Sequence, residues 1–173
     1  NLTEQAYTTS QMCLLYILDL EGHVVWWGRQ APEQGELAPL PEFPTEHWPS
    51  GHPLLVGRDP KGSFRGLLMT AEGPMLVAAT PILDSLSQKP PRGTLVMGRR
   101  LDATMIEGIR EQTRLSFDLT PVQAGHVEGL PEALVEHLVA TPGAVEWMLG
   151  DERREGFTLL LDYLQRPILA VHA

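Results

Sequence analysis

The sequence predicts an α+β fold in which an antiparallel sheet is flanked by helices. Two apolar runs rich in aromatic and branched residues enclose a Glu21-Gly22 turn, which is typical of a β-hairpin. Three more strand-like segments follow at 63–70, 74–83 and 93–101, with a tight turn and a proline-rich loop between them. Helical spacing of apolar residues comes only afterwards, so we expect a meander of strands followed by helices and further strands.

A proline-rich segment, residues 31–60, separates the hairpin from the meander and contains seven of the 15 prolines. Proline lacks a backbone N–H and fixes φ, which excludes a long helix or a central strand there. We expect loops and short helical turns, with Trp48 and the run 54–56 directed inward. Trp26 and Trp27 end the hairpin consecutively, so only one ring can enter the core, and the other serves as an edge side chain or as a ligand platform.

The segment after the meander begins with a helix signal. Asp102 stands at the N-cap position ahead of ATMIEGIREQT, in which apolar residues recur at helical spacing. We expect a short strand at 115–119, closed by Thr120 and Pro121.

The last third of the chain predicts a second helix and a partial second β-layer. The segment LPEALVEHLVAT places Leu134, Val135 and Leu138 on one helix face. Strands are expected after it at 144–149, 156–163 and 167–171.

Composition limits the classes of partner. A chain of 173 residues with 43% hydrophobic residues fits one domain, residues 1–173, with an ordinary core. Its net charge of -9 argues against nucleic acid, because phosphate binding draws on clustered Lys and Arg. The single cysteine, Cys13, excludes an internal disulfide and lies in an apolar run, so we expect it to be buried. No apolar run approaches the roughly 18 residues of a membrane span.

The stretch PPRGTLVMGRRLD contains an unusual charge. In a strand, Arg99 continues the apolar row of Leu95 and Met97, and Arg100 lies on the other side. A guanidinium in an apolar row needs a counter-charge, a set of carbonyls or a bound anion. Arg99 is therefore either a ligand contact or half of an internal salt bridge to one of three carboxylates, and we expect Arg100 to be solvated. The three carboxylates are those of Asp19, Asp102 and Asp162.

No catalytic or metal-binding motif is evident. Glu46, His47 and His52 are the closest group of metal-ligand types, but two histidines fall short of the ligand number that zinc requires. Glu132 and Glu136 are one helical turn apart, where a solvated face is a simpler interpretation than an acid–base pair. We expect no enzymatic activity, no metal and no cofactor, with a metal-dependent hydrolase using the two histidines as the least favoured alternative.

Small side chains at 78–80 leave space beside the predicted meander. Either a helix packs closely on them or a cavity opens above them, and a small-molecule pocket needs such a cavity with a few polar anchors. The candidate ligand-binding residues are Trp48, Arg65, Met69, Thr80 and Arg99.

Three stretches of the sequence carry a family resemblance. They are NLTEQAYTTSQMCLLYILDLEGHVVWWG, GLLMTAEGPMLVAATPILDS and PPRGTLVMGRRLDATMIEGI. Together they resemble the fourth class of CHASE extracytoplasmic sensor domains, relatives of the Cache sensors, over residues 1–120. The resemblance implies a PAS-like antiparallel sheet with a long N-terminal helix across one face. Most of that helix is expected to be truncated here, with residues 2–11 as its tail.

The resemblance also implies a function. Such a domain lies on the periplasmic or extracellular side of the membrane, between two transmembrane helices of a receptor that is expected to be a homodimer. The receptor's output is a histidine kinase, a diguanylate cyclase, a cyclic-di-GMP phosphodiesterase or a chemoreceptor. We expect the chain to bind a small polar or anionic ligand. The alternative is a ligand-free module for dimerisation or for a protein partner.

Overall fold

The computed structural model describes residues 12–30, 39–86, 89–143, 145–149 and 154–173. The chain divides into two compact units, Asn1–Leu101 and Asp102–Ala173, and each is described by itself. The expected tail of an N-terminal helix, at 2–11, lies outside the described residues.

Five antiparallel strands form the sheet of the first unit. They are β1 Leu14–Leu18, β2 Val24–Arg29, β3 Phe64–Thr70, β4 Gly73–Pro81 and β5 Thr94–Arg100. Their order across the sheet is β2-β1-β5-β4-β3, so β5 joins the hairpin to the meander. The predicted hairpin, the predicted meander and the α+β class built on an antiparallel sheet are confirmed.

Alternation along the strands gives the sheet two different faces. The covered face is buried and carries Leu14, Tyr16, Leu18, Met75, Val77, Ala79, Thr94, Val96 and Gly98. The second face is half-buried and carries Leu15, Ile17, Leu76, Ala78, Thr80, Leu95, Met97 and Arg99. Arg99 thus continues the row of Leu95 and Met97, as the strand parity predicts.

An irregular segment, residues 39–62, packs on the covered face. Its Trp48, Phe43 and Leu54 are buried, although it contains no helix or strand beyond one bridge to the hairpin. The ring of Tyr16 lies 5.5 Å from that of Trp48 and 6.0 Å from that of Phe43, measured between centroids. Burying such side chains contributes about 1.5–3 kcal/mol each, which holds a segment that lacks a hydrogen-bonded ladder.

The two consecutive tryptophans point to opposite faces, as expected. Trp27 stacks on Tyr16 with 5.9 Å between ring centroids, on the covered side of the sheet. Trp26 is 39% exposed. One ring is therefore half-buried against the core residue Tyr16, and the other lies at the edge of the sheet.

The hairpin turn requires glycine for two reasons. Gly22 has φ +97°, a conformation that costs little only for glycine. Its carbonyl also accepts a hydrogen bond from the backbone N–H of Trp48 at 2.8 Å, and an added Cβ would lie 2.8 Å from the Trp48 carbonyl oxygen. The same glycine therefore turns the hairpin and admits the covering segment.

The second unit contains two helices and five strands among its described residues. They are α1 Ala103–Thr113, β6 Asp118–Gln123, β7 His126–Val127, α2 Glu132–Ala140, β8 Glu146–Leu149, β9 Arg154–Leu161 and β10 Pro167–His172. The strand order is β7-β6-β10-β9-β8. Both helices and the three C-terminal strands agree with the sequence prediction, whereas the two-residue strand β7 carries no signal in the sequence.

The predicted helix cap and helix face are both present. Oδ1 of Asp102 accepts a hydrogen bond from the backbone N–H of Met105 at 2.9 Å, which begins α1. Val135 and Leu138 of α2 are buried in a core with Phe157 of β9, and Leu134 packs against it. The apolar face of α2 is therefore the one that the helical spacing predicts.

The strand predicted at 115–119 begins later and continues through the proline. Arg114 ends α1 in the left-handed conformation with φ 56°, and Leu115 is 58% exposed. Pro121 lies within β6 rather than after a strand end, since it pairs with Leu169 while β7 pairs only from Val122 onward. Because no second strand pairs with Pro121 among the described residues, the backbone N–H that proline lacks is not needed for a hydrogen bond on that side.

A buried aspartate organises the turn between β9 and β10. Oδ1 of Asp162 accepts hydrogen bonds from the backbone N–H groups of Leu164 and Arg166, each at 2.8 Å. Oδ2 pairs with the Arg166 guanidinium at 2.7 Å. Desolvation raises the pKa of Asp162, but the hydrogen bonds from Arg166 and Leu164 outweigh it and hold the pKa below its ordinary value.

We expect Asp162→Asn to lower the free energy of unfolding by about 2–3 kcal/mol near pH 7, because charge-assisted hydrogen bonds are lost. A lowered folded-state pKa adds stability above the unfolded pKa that disappears as the pH falls through the folded value. The difference in Tm from the unsubstituted chain should therefore shrink on acidification, as measured by circular dichroism. Asp118→Asn, which removes an exposed carboxylate, is the control and should change Tm little. A difference for Asp162→Asn that is constant with pH would contradict the linkage.

Candidate functional site

The five residues predicted to bind ligand do not share one face of the sheet. Trp48 lies in the segment over the covered face and is fully buried. Strand register assigns the other four to the second face, and they are Arg65, Met69, Thr80 and Arg99. The sheet therefore lies between Trp48 and the rest of the predicted set.

The four residues on the second face are spread along it. Met69 pairs with Pro74, and Thr80 lies six residues farther along β4, a distance of about 20 Å at the rise of a strand. Arg99 and Arg65 occupy the two rows between these ends. The two arginines lie in adjacent rows on either side of β4, and ligand binding by the set stays a prediction.

The small residues at 78–80 alternate between the faces. Ala79 is buried on the covered face opposite Val96, whereas Ala78 and Thr80 lie on the second face. A helix or a cavity on one face therefore meets only part of this run.

A buried arginine that the sequence interpretation missed lies at the end of β2. The side chain of Arg29 is 3% exposed and lies opposite Leu14 on the covered face. Its Nη2 donates a hydrogen bond to Oε1 of Glu72. Oε2 of the same carboxylate accepts from Nη1 of Arg100 at 3.3 Å. Glu72 therefore joins the end of β2 to the end of β5.

Arg100, expected to be solvated, is instead part of this ion-pair cluster. It pairs with Met75 across the sheet, and its side chain is only 24% exposed. Strand parity explains why Arg100 is not solvated, because it lies two positions after Gly98 and therefore on the same, covered face.

Two of the three guanidinium nitrogens of Arg29 have no hydrogen-bond partner among the described residues. Within the described ranges, no group accepts a hydrogen bond from Nε or Nη1, although both atoms are buried. Oε2 of Glu42 is likewise buried without a partner in this part of the chain. An unsatisfied buried donor costs about 1–3 kcal/mol, and more when it is charged. In the described part of the covered face, Arg29 is therefore a buried cation whose hydrogen bonding is incomplete.

Strand parity is the signal that could have identified Arg29. Trp27 and Arg29 are two residues apart in one strand and so share a face. Once Trp27 is assigned to the core, Arg29 follows it there. No sequence pattern, however, indicates that the turn between β3 and β4 brings Glu72 to it.

Burial governs the titratable groups beside this cluster. It raises the pKa of Tyr16 to about 12, and the Arg29 charge offsets only part of that rise. Tyr16 is therefore an uncharged phenol that donates a hydrogen bond to the Phe43 carbonyl at 3.1 Å. Burial also raises the pKa of Cys13, whose thiol donates to the Gly98 carbonyl at 3.4 Å. Cys13 is a buried thiol, as predicted.

Two clefts among the described residues are lined in part by side chains that already have partners. One of about 270 Å³ lies in the first unit, where Thr94 already accepts from the Gly57 N–H at 2.8 Å and Arg58 donates to a backbone carbonyl. The other, of about 520 Å³, lies in the second unit, where Arg110 donates to two carboxylates and a backbone carbonyl. Their guanidinium groups are thus already engaged within the protein.

The histidines considered as metal ligands pack on different neighbours. His47 contacts His23 with 4.9 Å between ring centroids, and His52 contacts Trp48 at 4.7 Å. Burial lowers the pKa of His52. Among the described residues, no three His, Cys, Asp or Glu side chains are grouped to hold a metal ion. In the same residues, no helix has the length and apolar character needed to cross a membrane.

Comparison with models of known protein families shows which family the chain belongs to. A family model described as the CHASE4 domain matches residues 1–120. The chain belongs to the CHASE4 domain family. The resemblance stated from the sequence is confirmed, and the match includes the whole first sheet. CHASE4 domains are sensor domains rather than catalytic ones, and CHASE domains are extracellular sensors of membrane receptors.

A curated relative of this CHASE4 chain is the "Methanogenesis regulatory histidine kinase FilI" of Methanothrix harundinacea (strain 6Ac). The two are 34% identical over 82 residues, which is 47% of this chain and 8% of that kinase. The matched segment is thus a small part of the kinase. Family and relative together identify this chain as a sensory domain of a signalling protein.

We expect Glu72→Gln to destabilise the chain by about 3 kcal/mol, because it leaves the buried Arg29 charge without a counter-ion. Arg29→Met keeps the volume, removes the charge and should cost less. In the Arg29→Met background, the effect of Glu72→Gln should largely disappear. Denaturant unfolding of the four proteins in a double-mutant cycle measures this coupling, and strictly additive effects would contradict the ion pair.

Proposed function

We propose that this CHASE4 domain binds a small polar or anionic ligand outside the cytoplasm and reports it to the output domain of a membrane receptor. The observation that carries the proposal is the buried Arg29 guanidinium with two donors that no described group accepts. A protein retains such a costly group most readily where a ligand can satisfy it. The net charge of -9 makes non-specific anion binding unfavourable elsewhere on the chain.

The proposed output is a histidine kinase, on the basis of the similarity to FilI. In the intact receptor we propose one sensor domain, residues 1–173, anchored through flanking transmembrane helices and dimeric. A ligand that binds one arrangement of the receptor more tightly than the other shifts the equilibrium by that difference in affinity. A diguanylate cyclase, a phosphodiesterase or a chemoreceptor would receive the signal in the same way.

A second candidate function is a ligand-free module for dimerisation or for a protein partner. The second face favours it, since it presents half-buried apolar side chains from three neighbouring strands. They include Leu15, Ile17, Leu76, Leu95 and Met97. Such a module predicts concentration-dependent association and no response to small molecules.

A thermal-shift screen of organic acids, amino acids and metal ions separates the two functions. A ligand that binds only the folded chain raises Tm by mass action, and an excess over the dissociation constant should raise it by several degrees. Analytical ultracentrifugation of the same samples measures association. No thermal response in the screen, together with dimerisation, would favour the partner module over ligand sensing.

The sequence-predicted contacts on the second face have their own test. If the ligand binds there, Arg99→Glu should abolish its thermal stabilisation, because the substitution replaces an attractive charge with a repulsive one. Circular dichroism checks that the variant folds. A folded Arg99→Glu variant with a full ligand response would remove Arg99 from the site.

A further inference from the structure

We infer that Arg29 anchors a carboxylate group of the sensed ligand on the covered face, beside the protein's own carboxylate Glu72. The inference rests on the proposed sensory function and specifies both the anchor and the chemical class of the ligand. It transfers the charged contact from Arg99, on the second face, to a side chain on the opposite side of the sheet.

Arg29 is a buried cation. The side chain of Arg29 is almost completely inaccessible, and its Nε and Nη1 donors point to no acceptor within the described ranges of the chain. Nη2 is the nitrogen that Glu72 holds. Nε–H and Nη1–H lie on different edges of the planar guanidinium, so a second anionic partner can accept from one of them while Glu72 keeps its contact with Nη2.

Charge balance defines the ligand. Arg29 and Arg100 carry two positive charges and Glu72 one negative charge, so the linked cluster carries a net charge of +1. Only Arg29 of the three is buried, and a carboxylate that contacts it brings one negative charge to this position, whereas a doubly charged phosphate would bring two. Because uncompensated buried charge is costly, the cluster favours a monoanionic carboxylate.

The surroundings limit the size and character of that ligand. Arg29 shares the covered face with Leu14, Tyr16 and Trp27, and the one hydroxyl among these side chains already donates to the Phe43 carbonyl. Carboxylate groups attached to small apolar bodies fit this combination of one cation and an aromatic wall. A strongly hydrated or polyanionic compound does not.

Glu72 supplies the link to the rest of the first sheet. It lies in the turn between β3 and β4, is itself partly exposed, and contacts both Arg29 and Arg100. Arg100 is the last residue of β5. A carboxylate that binds Arg29 therefore weakens the ion pair between Arg29 and Glu72. Because Glu72 also pairs with Arg100, binding changes the link between the ends of β2 and β5.

The test uses sodium formate, acetate and propionate as probes at constant ionic strength, with sodium phosphate and chloride for comparison. Binding to the 173-residue chain is measured by thermal shift and by calorimetry. We expect a carboxylate to raise Tm, and Arg29→Met to weaken its binding by about 10- to 100-fold, the effect of losing charge-assisted hydrogen bonds. Arg92→Gln, which removes an exposed arginine of the same unit, should leave binding unchanged.

A second measurement needs no substitution in the protein that is titrated. The Nε–H resonance of Arg29 in the ¹⁵N spectrum of the unsubstituted chain should shift on addition of the carboxylate that binds. Arg29→Lys, which lacks that N–H, assigns the resonance. The chain's other arginine resonances serve as internal references.

The outcomes distinguish the anchor from the function. If carboxylates stabilise the chain and Arg29→Met binds them as well as the unsubstituted protein, the anchor is wrong and ligand sensing survives. Loss of binding in Arg99→Glu but not in Arg29→Met would transfer the anchor to the second face. If no carboxylate binds and the Nε–H resonance does not move, the anchor is wrong, and the broader screen decides whether ligand sensing also fails.

Discussion

The first unit depends on the packing around Tyr16. Its ring contacts Trp27 from the sheet and both Trp48 and Phe43 from the covering segment, and its hydroxyl donates to the Phe43 carbonyl. A segment rich in proline makes almost no ladder hydrogen bonds, so aromatic burial and a few local hydrogen bonds have to hold it. That segment packs on the covered face and removes Tyr16 and Thr94 from water, and Arg29 is buried on the same face.

Burial makes an unpaired charge on the covered face costly in free energy. Arg29 is tolerated because Glu72 reaches it from a turn that is partly exposed, and Glu72 is shared with Arg100. Nε and Nη1 have no acceptor among the described residues, and a carboxylate ligand that accepts from one of them would reduce the resulting cost to folding. Packing and sensing are thus connected, since the same burial that stabilises the sheet also strengthens any anion contact made inside it.

Much of the fold could be predicted because its signals are local. Period-two alternation, the Glu21-Gly22 turn and the Asp102 cap each act over a few residues, and each element appears where its pattern indicates. The predicted strand boundaries and pairings were wrong where a strand distant in sequence determines them. Pro121 continues β6 because only one neighbouring strand pairs with it, and β7 exists only because β6 is there to pair with it.

In the candidate site too, some features follow from local sequence and others depend on distant partners. The sequence by itself determined the α+β class, the order of the main strands and helices, the row of Arg99, the opposite faces of Trp26 and Trp27, and the resemblance to the CHASE4 family. Only the tertiary structure decided that Arg29 is the buried arginine, that Arg100 shares its counter-ion, and that Trp48 and Arg99 lie on opposite sides of the sheet. The face to which a strand residue points follows from its position among its sequence neighbours. Burial and ion pairing depend instead on which distant segments pack on each face.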